Sequence, residues 1–409
     1  MAEAHQPQHS KHIVLVDLVR ALAILQVVVY HFYSRWFDAS FLVVPDGVAA
    51  NIARLELFKG GGFLDVIKNI LSFLFVYGFM AVNVFLMISG FVLAYSVLKN
   101  PEKADKEGFW GYVWKRCKRI IWPLYISILA GIGIILIRNI LFPNFAGPFL
   151  FDGVDIVKLI CVPFLFFDTA MLQRFSGVYW FIPLILQLYL LFPLLSKWLR
   201  KVGPWKFIVP IFLITFAYRL YAAYFLDTVP MGVVYPTTNS YSLFTFFLPR
   251  LFEFSLGMVF AWWYHQSSHF LQKFRGWWPV TIGLLLTFSG FFLNMYRFGW
   301  ALSDMVVAPG LFIVLLAVGR QIEKSKKLTK FFLWMSGISY ELYLIHDYLL
   351  GYFIIPLIFS FPLHTEMWFW ILLPVFIILS VLAAAVTREA INRSERLLNL
   401  FSTSRSRSK

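Results

Sequence analysis

The stretch from Ile13 to Tyr33 is apolar and long enough to cross a membrane as one helix, which restricts the fold more than any other feature of the chain. About 20 helical residues rise roughly 30 Å, the thickness of the hydrocarbon core of a bilayer. The stretch nevertheless contains Asp17, Arg20 and His31, whose polar groups cost free energy in hydrocarbon unless they have partners. The pattern therefore predicts a membrane helix with one face turned toward protein or water.

The spacing of these three residues places them on a common face. Arg20 and His31 are eleven residues apart, so at about 100° per residue they fall within roughly 20° of each other, three turns apart. Asp17 precedes Arg20 by three residues and is close enough to pair with it. We expect the chemistry of the protein to lie on this face.

Composition extends the membrane interpretation to the whole chain. Of its 409 residues 60% are hydrophobic and only 14% are charged, whereas soluble domains average about 45–50% and 25%. The sequence therefore predicts an all-α, polytopic membrane helical bundle of about ten spans and excludes a solvent-exposed globular fold. The expected spans are 13–33, 66–98, 120–142, 178–196, 207–225, 244–264, 278–295, 300–319, 332–359 and 367–387.

The distribution of positive charge predicts the orientation. With both termini in the cytoplasm, 25 of the 36 lysines and arginines fall on the inner side and nine on the outer side. The densest cluster, Lys99–Arg119, is expected to be a cytoplasmic loop. The net charge of +15 is thus explained by topology, and we expect the lipid bilayer rather than nucleic acid as partner.

The remaining segments complete the predicted organisation. We expect residues 1–12 to be a disordered cytoplasmic N-terminus, 13–387 a membrane domain whose first helix is retained, and 388–409 a basic cytoplasmic tail. Val154–Phe167 is too interrupted for a span, and we interpret it as re-entrant or interfacial. The two cysteines predict no structural disulfide, and no metal-ligand spacing is present.

Several motifs follow one another along the chain. They are Asp17-Leu-Val-Arg20 with His31, AVNVFLMISGFVL at 81–93, Arg116-Cys-Lys-Arg119 followed by Trp-Pro-Leu-Tyr125, Tyr179-Trp180-Phe-Ile with Gln187 and Tyr189, Arg250-Leu-Phe-Glu253, and Ser339-Tyr340-Glu-Leu-Tyr343-Leu-Ile-His346. In this order, over residues 12 to 390, they resemble the acyltransferase-3 family of integral membrane acyltransferases. Two departures are visible: Ala21 replaces a frequent glycine, and Asn83 replaces a frequent aspartate.

The resemblance implies an enzyme with no resident cofactor or metal. Its donor substrate would be cytoplasmic acyl-CoA, most often acetyl-CoA, and its acceptor a hydroxyl of a glycan or lipid-linked sugar at the outer side. It also implies a multi-pass protein of a bacterial inner membrane. Family members with a fused extracytoplasmic hydrolase-like domain exist, and none is expected here. The acceptor, the acyl chain length and the oligomeric state are not predicted.

His31 is the candidate catalytic base, because imidazole can remove the hydroxyl proton at neutral pH. An acyl-imidazole intermediate is an open alternative, and so is an inert interfacial histidine. Arg20 is expected to steer a phosphate or the thioester oxygen, or to form a structural pair with Asp17, which we interpret as its orienting residue. The resemblance assigns Arg116 and Arg119, two forks at i and i+3, to the phosphates of coenzyme A.

A further group of residues is predicted to bind acceptor or to support the site. Arg250 and Glu253 suit either a buried pair or an acceptor contact. The others in this group are Trp180, Tyr179, Gln187, Tyr340 and His346. The alternatives to direct O-acyl transfer are a relay to a separate extracytoplasmic transferase and, from another class, a glycan transporter or flippase.

Overall fold

The computed structural model describes residues 13–37, 47–54, 62–143, 161, 176–225, 246–360 and 365–407. These residues fold into helices joined by short turns, without a strand in the described ranges. The predicted all-α membrane bundle is therefore confirmed. The predicted N-terminal segment 1–12 and all of Val154–Phe167 except Cys161 lie outside the described residues.

Fourteen α-helices occur in the described ranges. They are α1 (Val14–Trp36), α2 (Gly47–Arg54), α3 (Phe63–Val76), α4 (Ala81–Lys99), α5 (Pro101–Leu141), α6 (Phe181–Val202), α7 (Pro204–Phe225), α8 (Leu251–Gln266), α9 (Trp277–Asn294), α10 (Ser303–Glu323), α11 (Lys326–Gly337), α12 (Ser339–Leu349), α13 (Ile355–Ser360) and α14 (Glu366–Arg407). A π-helical turn, Leu350–Ile354, joins α12 to α13.

By length and apolar composition, nine helical segments of the described chain can cross a membrane, counting α3–α4 and α12–α13 as one segment each. They correspond to nine of the predicted spans. The tenth predicted span coincides with α8, which has 16 residues and is preceded by the 3₁₀ turn Leu248–Arg250. α8 is shorter than these nine segments. Its contact with α4 is nevertheless the most extensive helix–helix contact in the described part of the chain.

Glycine permits the close approach of α4 and α8. A Cβ on Gly90 would lie 1.9 Å from the carbonyl oxygen of Phe254, and a Cβ on Gly257 would lie 1.9 Å from that of Met87. Only hydrogen fits at either position. Lipid provides no hydrophobic driving force for the association of helices, so membrane helices often pack closely through small residues. Gly90 and Gly257 allow such packing between α4 and α8.

α1 lies at the centre of the bundle. It packs against α3, α4, α10, α11, α12 and α14, and most of its apolar side chains are buried. The predicted first helix is therefore surrounded by protein over most of its length. Its polar groups can be partnered there, as their presence in a span requires.

Three element boundaries differ from the sequence prediction. The expected loop at 99–119 is helical, because α5 begins at Pro101 and continues through a break at Gly108, where φ is 68°. The expected span at 332–359 is divided at Ile338 into α11 and α12. α14 continues to Arg407, so the predicted boundary at 387 between domain and tail is not a helix end.

Candidate active site

The charged pair at the start of α1 is present. Arg20 Nη1 lies 3.0 Å from Asp17 Oδ1, and the Ser336 hydroxyl of α11 approaches the same oxygen at 3.5 Å. The Asp17 side chain is 12% exposed and the Arg20 side chain is 25% exposed. The ion pair therefore holds the Arg20 guanidinium on this face of α1 while part of the side chain stays exposed.

Arg20 lines a cavity of about 550 Å³ that also contains the Arg116 and Arg119 side chains. We call it the arginine cavity. The three arginines that the sequence assigns to one site thus meet, although Arg116 and Arg119 come from α5. Additional cationic residues of its lining are Lys115, Lys118 and Arg388. Apart from Arg20, these are residues that the charge count assigns to the cytoplasmic side.

One polar wall of the arginine cavity is formed by α12. Ser339, Tyr340 and Tyr343 line it, and the Tyr340 hydroxyl donates to the carbonyl oxygen of Ile120 at 3.0 Å. Glu341, which is 1% exposed, pairs with Arg388 of α14 at 2.8 Å. Tyr340 is therefore held at the cavity wall, consistent with its predicted supporting position.

His31 of α1 and His346 of α12 form a pair further along the contact between these two helices. His31 Nδ1 lies 3.3 Å from His346 Nε2, and the ring centroids are 4.9 Å apart. His346 Nδ1 lies 2.8 Å from the carbonyl oxygen of Leu342, and His31 Nδ1 lies 2.8 Å from that of Val27. Because a carbonyl oxygen only accepts, both Nδ1 atoms carry the proton in the neutral pair.

This arrangement determines which nitrogen of His31 is available. The His31 Nδ1–H is shared between the Val27 carbonyl and the His346 Nε2 lone pair, so His31 Nε2 keeps its own lone pair and has no hydrogen bond to the described residues. His31 is partly exposed, whereas His346 is fully buried. The pair therefore combines one accessible imidazole with one held inside the protein.

Asp347 adds a carboxylate beside the imidazole pair. Its Oδ2 accepts from the Ser176 hydroxyl at 2.8 Å and from the Gly177 N–H at 2.6 Å. Its Oδ1 lies 3.9 Å from Arg35 Nη2, and Asp347 itself is 5% exposed. A buried negative charge next to two imidazoles stabilises a proton that arrives there.

Tyr343 connects the arginine cavity with the histidine pair. It lines the cavity, and its ring centroid lies 6.2 Å from that of His346, one turn further along α12. Neither histidine is among the described residues that line the cavity. Arg20 lines a cavity that α12 also lines, and His31 contacts His346 of α12.

The aromatic and amide residues assigned to acceptor binding have mainly structural contacts. The Tyr179 hydroxyl lies 3.0 Å from that of Tyr348, and Tyr179 is fully buried. Gln187 donates to the Pro183 carbonyl at 3.1 Å and accepts from the Phe247 N–H at 3.3 Å. Trp180 is half-buried at the start of α6. Trp180 and Gln187 are partly exposed, whereas Tyr179 is not.

Arg250 and Glu253 belong to a buried charge cluster, which we define as these two residues with Asn83, Arg219 and Asp304. Asp304 Oδ2 lies 2.6 Å from Arg219 Nη2 and 2.7 Å from Arg250 Nη1. Glu253 Oε1 lies 3.6 Å from Arg219 Nη1. The two guanidiniums are thus balanced by carboxylates from two helices, which favours the buried-pair interpretation.

Asn83 joins the same cluster by two hydrogen bonds. It donates to Asp304 Oδ1 at 2.7 Å and accepts from Arg250 Nη1 at 2.8 Å. An amide fits here because it donates to one partner and accepts from another, whereas an aspartate would add a third carboxylate. The departure from the family pattern at Asn83 is therefore accommodated.

Sequence reasoning missed Asp347, Arg219 and Asp304 as structurally important residues. Each is a charged residue inside or at the end of a predicted span, the same signal that identified Asp17 and Arg20. Applied uniformly, that signal would have marked all three. Among the described residues no group of three or more histidines, cysteines or acidic residues is close enough to hold a metal ion.

The part of the chain that carries the motifs also matches a known protein family. Residues 13–388 match the sequence model of the acyltransferase-3 family, which is described as an acyltransferase domain.

The chain is also similar to the acyltransferase MdmB of Streptomyces mycarofaciens, with 29% identity over 168 residues. That alignment covers 41% of this chain and 39% of the relative, so the chain matches about two fifths of the relative's length. No solved structure matches. Since the family match covers far more than half of its residues, the chain belongs to the acyltransferase-3 family of membrane proteins.

Proposed function

We propose that the protein is an acyl-CoA-dependent O-acyltransferase of a bacterial inner membrane. It moves an acyl group, acetyl in the first instance, from cytoplasmic acyl-CoA to a hydroxyl of a glycan or glycolipid at the outer side. The observation that carries this proposal is the position of the cationic arginine cavity and the His31–His346 pair along one helix, α12.

The arginine cavity provides the chemistry for the donor. Guanidinium groups bind phosphate oxygens through two parallel hydrogen bonds, and Arg20, Arg116 and Arg119 present three of them to one space. The pantetheine arm is a narrow chain and would pass beside Tyr343 toward the histidines. The Tyr343 ring borders the cavity and lies 6.2 Å from the His346 ring, so the arm reaches the histidines along this side chain.

His31 performs the proton transfer. Its Nε2 lone pair accepts the proton of the acceptor hydroxyl as the oxygen attacks the thioester carbonyl carbon. The new C–O bond forms, the C–S bond breaks, and the imidazolium returns the proton to the leaving thiolate of coenzyme A. Atoms and charge balance without a cofactor.

His346 and Asp347 support the charged intermediate state of His31. His346 Nε2 accepts from His31 Nδ1–H and so keeps Nε2 of His31 directed away from the pair. The Asp347 carboxylate lies beside the pair and favours the imidazolium once the proton has arrived. Both residues act through His31 and need no contact with the substrate.

The experiment uses the purified full chain in nanodiscs with labelled acetyl-CoA and glycans extracted from the producing membrane. His31→Ala is expected to lower transfer about 10²–10⁴-fold, the usual contribution of a general base. His265→Ala, which changes an exposed histidine at the end of α8, is the matched control and should retain activity. Full activity of His31→Ala would refute the assignment of the base.

A second arm of the experiment separates direct transfer from an acyl-imidazole intermediate. Wild-type protein is incubated with labelled acetyl-CoA in the absence of acceptor, and protein-bound label is measured. Direct transfer predicts label only in the glycan and only when the glycan is present. A stable label on the wild-type protein that His31→Ala lacks would instead identify an acyl-imidazole intermediate.

A further inference from the structure

A second cavity of about 670 Å³ lies beside the arginine cavity. It is formed by the end of α4, the first turns of α5 and the second half of α6. Lys115 and Arg116 line both cavities, so the two spaces adjoin at these side chains. Its volume is within the usual range of ligand pockets, about 300–1,000 Å³.

The second cavity is strongly cationic. Its lining has two acidic side chains, Asp105 and Glu107. Its basic lining residues are Lys103, Lys115, Arg116, Lys197 and Arg200. The excess of positive charge favours an anionic ligand with more than one phosphate.

Both acidic side chains form ion pairs with basic side chains that line the same cavity. Asp105 meets Arg200 in a two-point contact, with oxygen–nitrogen distances of 2.9 and 3.3 Å. Glu107 Oε1 lies 3.3 Å from Lys115 Nζ. These carboxylate oxygens occupy the positions on Arg200 and Lys115 that phosphate oxygens take in a bound nucleotide.

The two carboxylates are carried by a separate short segment of α5. Pro101–Glu107 is divided from the rest of the helix by Gly108, which has φ 68° and ψ 171°. A side chain at that position would be strained, and a Cβ there would meet nothing within 4 Å. The helix is therefore broken at Gly108, and both carboxylates belong to the segment before the break.

Aromatic rings also line the second cavity. Tyr112 stacks on Phe192 with centroids 5.4 Å apart, and the Arg116 guanidinium lies 5.6 Å from the Tyr112 ring centre. The Tyr112 hydroxyl is buried and makes no hydrogen bond within the described residues. Phe109 also lines the cavity and is 41% exposed. An exposed ring beside cations suits the stacking of a nucleobase.

We propose that the second cavity binds the adenosine 3′,5′-bisphosphate part of the acyl-CoA donor, while the arginine cavity receives the remaining phosphate, the pantetheine arm and the thioester. This inference rests on the proposed acyl-CoA dependence. Before the donor binds, Asp105 and Glu107 neutralise Arg200 and Lys115. The phosphates then replace them, and the segment before Gly108 moves aside.

The test compares acetyl-CoA with S-acetyl-4′-phosphopantetheine, which lacks the nucleotide. The variant Lys197→Gln/Arg200→Gln is expected to raise KM for acetyl-CoA about tenfold and to leave KM for the truncated donor unchanged. Asp105→Asn removes a competing anion and should lower KM for acetyl-CoA alone. Lys201→Gln, an exposed neighbour on α6 that does not line the cavity, is the matched control.

Direct binding of adenosine 3′,5′-bisphosphate to the purified wild-type protein provides a readout that does not require turnover. Binding that weakens about tenfold in Lys197→Gln/Arg200→Gln supports the inference even if the acceptor has not been found. Equal KM shifts for both donors, or bisphosphate binding that the double variant leaves unchanged, would overturn it. Absence of turnover with any acyl-CoA, with bisphosphate binding intact, would count against the proposed reaction and not against this site.

A lipid headgroup could supply the same phosphate chemistry, and the nanodisc composition separates the two sources. The inference predicts the same KM for acetyl-CoA in phosphatidylcholine and in phosphatidylglycerol nanodiscs. Inhibition by phosphatidylglycerol that disappears in Lys197→Gln/Arg200→Gln, together with no effect of the bisphosphate, would assign the cavity to lipid and overturn the proposal.

Discussion

His31 Nδ1 and His346 Nε2 lie 3.3 Å apart, although 315 residues separate them in the chain. The contact joins the first membrane helix to α12 and leaves His31 Nε2 as the available nitrogen. On the proposed mechanism His346 positions His31, so its loss should affect the rate of transfer.

His346→Leu is expected to lower kcat by about tenfold or more while KM for acetyl-CoA changes little, because the cavity lining remains intact. His346→Gln should recover part of the loss, since its amide oxygen can accept from His31 Nδ1–H. Steady-state kinetics on both variants measure the effect. A purely structural role would give equal losses for Leu and Gln, in proportion to the fall in folded protein.

Arg119→Gln should raise KM for acetyl-CoA with a smaller change in kcat. Arg119 lines the arginine cavity beside Arg116, and removal of one charge-assisted contact to phosphate costs about tenfold in affinity. Arg119→Lys should restore only part of this affinity, because lysine offers a point charge instead of a planar fork. Lys99→Gln, an exposed residue outside the described lining of the cavity, is the control.

Asp304→Asn should destabilise the folded protein. The Asp304 carboxylate lies within 2.7 Å of both Arg219 and Arg250. Its neutralisation leaves Glu253 as the remaining carboxylate of the defined cluster for two buried guanidiniums, and breaking a buried ion pair costs about 3–5 kcal/mol. Thermal unfolding in detergent measures the change.

Glu389→Gln breaks the exposed pair with Arg393 and is the control for Asp304→Asn. It should leave the unfolding temperature unchanged, because water screens an exposed ion pair. A similar unfolding temperature for Asp304→Asn and wild type would contradict the structural role of the buried charge cluster.

Gly90→Ala should lower the yield of folded protein by preventing the contact of α4 with α8. The added methyl group would meet the Phe254 carbonyl oxygen at 1.9 Å, and this atom belongs to the backbone of a packed helix and cannot move aside. Gly133→Ala on α5 has nothing within 4 Å and should fold as well as wild type. Size-exclusion chromatography of fluorescent fusions compares the two, and equal monodisperse yields would refute the packing argument.

Much of the membrane architecture follows from local sequence. The length of apolar runs predicts the spans, because helical rise and bilayer thickness are fixed quantities. The spacing of Arg20 and His31 predicts their common face for the same reason, and the structure turns both toward α12. The helical boundaries at Gly108 and Ile338 were missed, since an apolar or charged run does not reveal where a helix bends.

The sequence by itself determined an all-helical membrane protein, its family motifs, and the candidate groups Arg20, His31, Arg116 and Arg119. Only the tertiary structure decided which helices are neighbours, and hence the pairing of His31 with His346 and the contacts of Asp304 with Arg219 and Arg250. The physical reason is that lipid tails are as apolar as the side chains of a neighbouring helix. Hydrophobic pattern therefore predicts that a helix is buried in the membrane, and it does not predict the partner against which that helix packs.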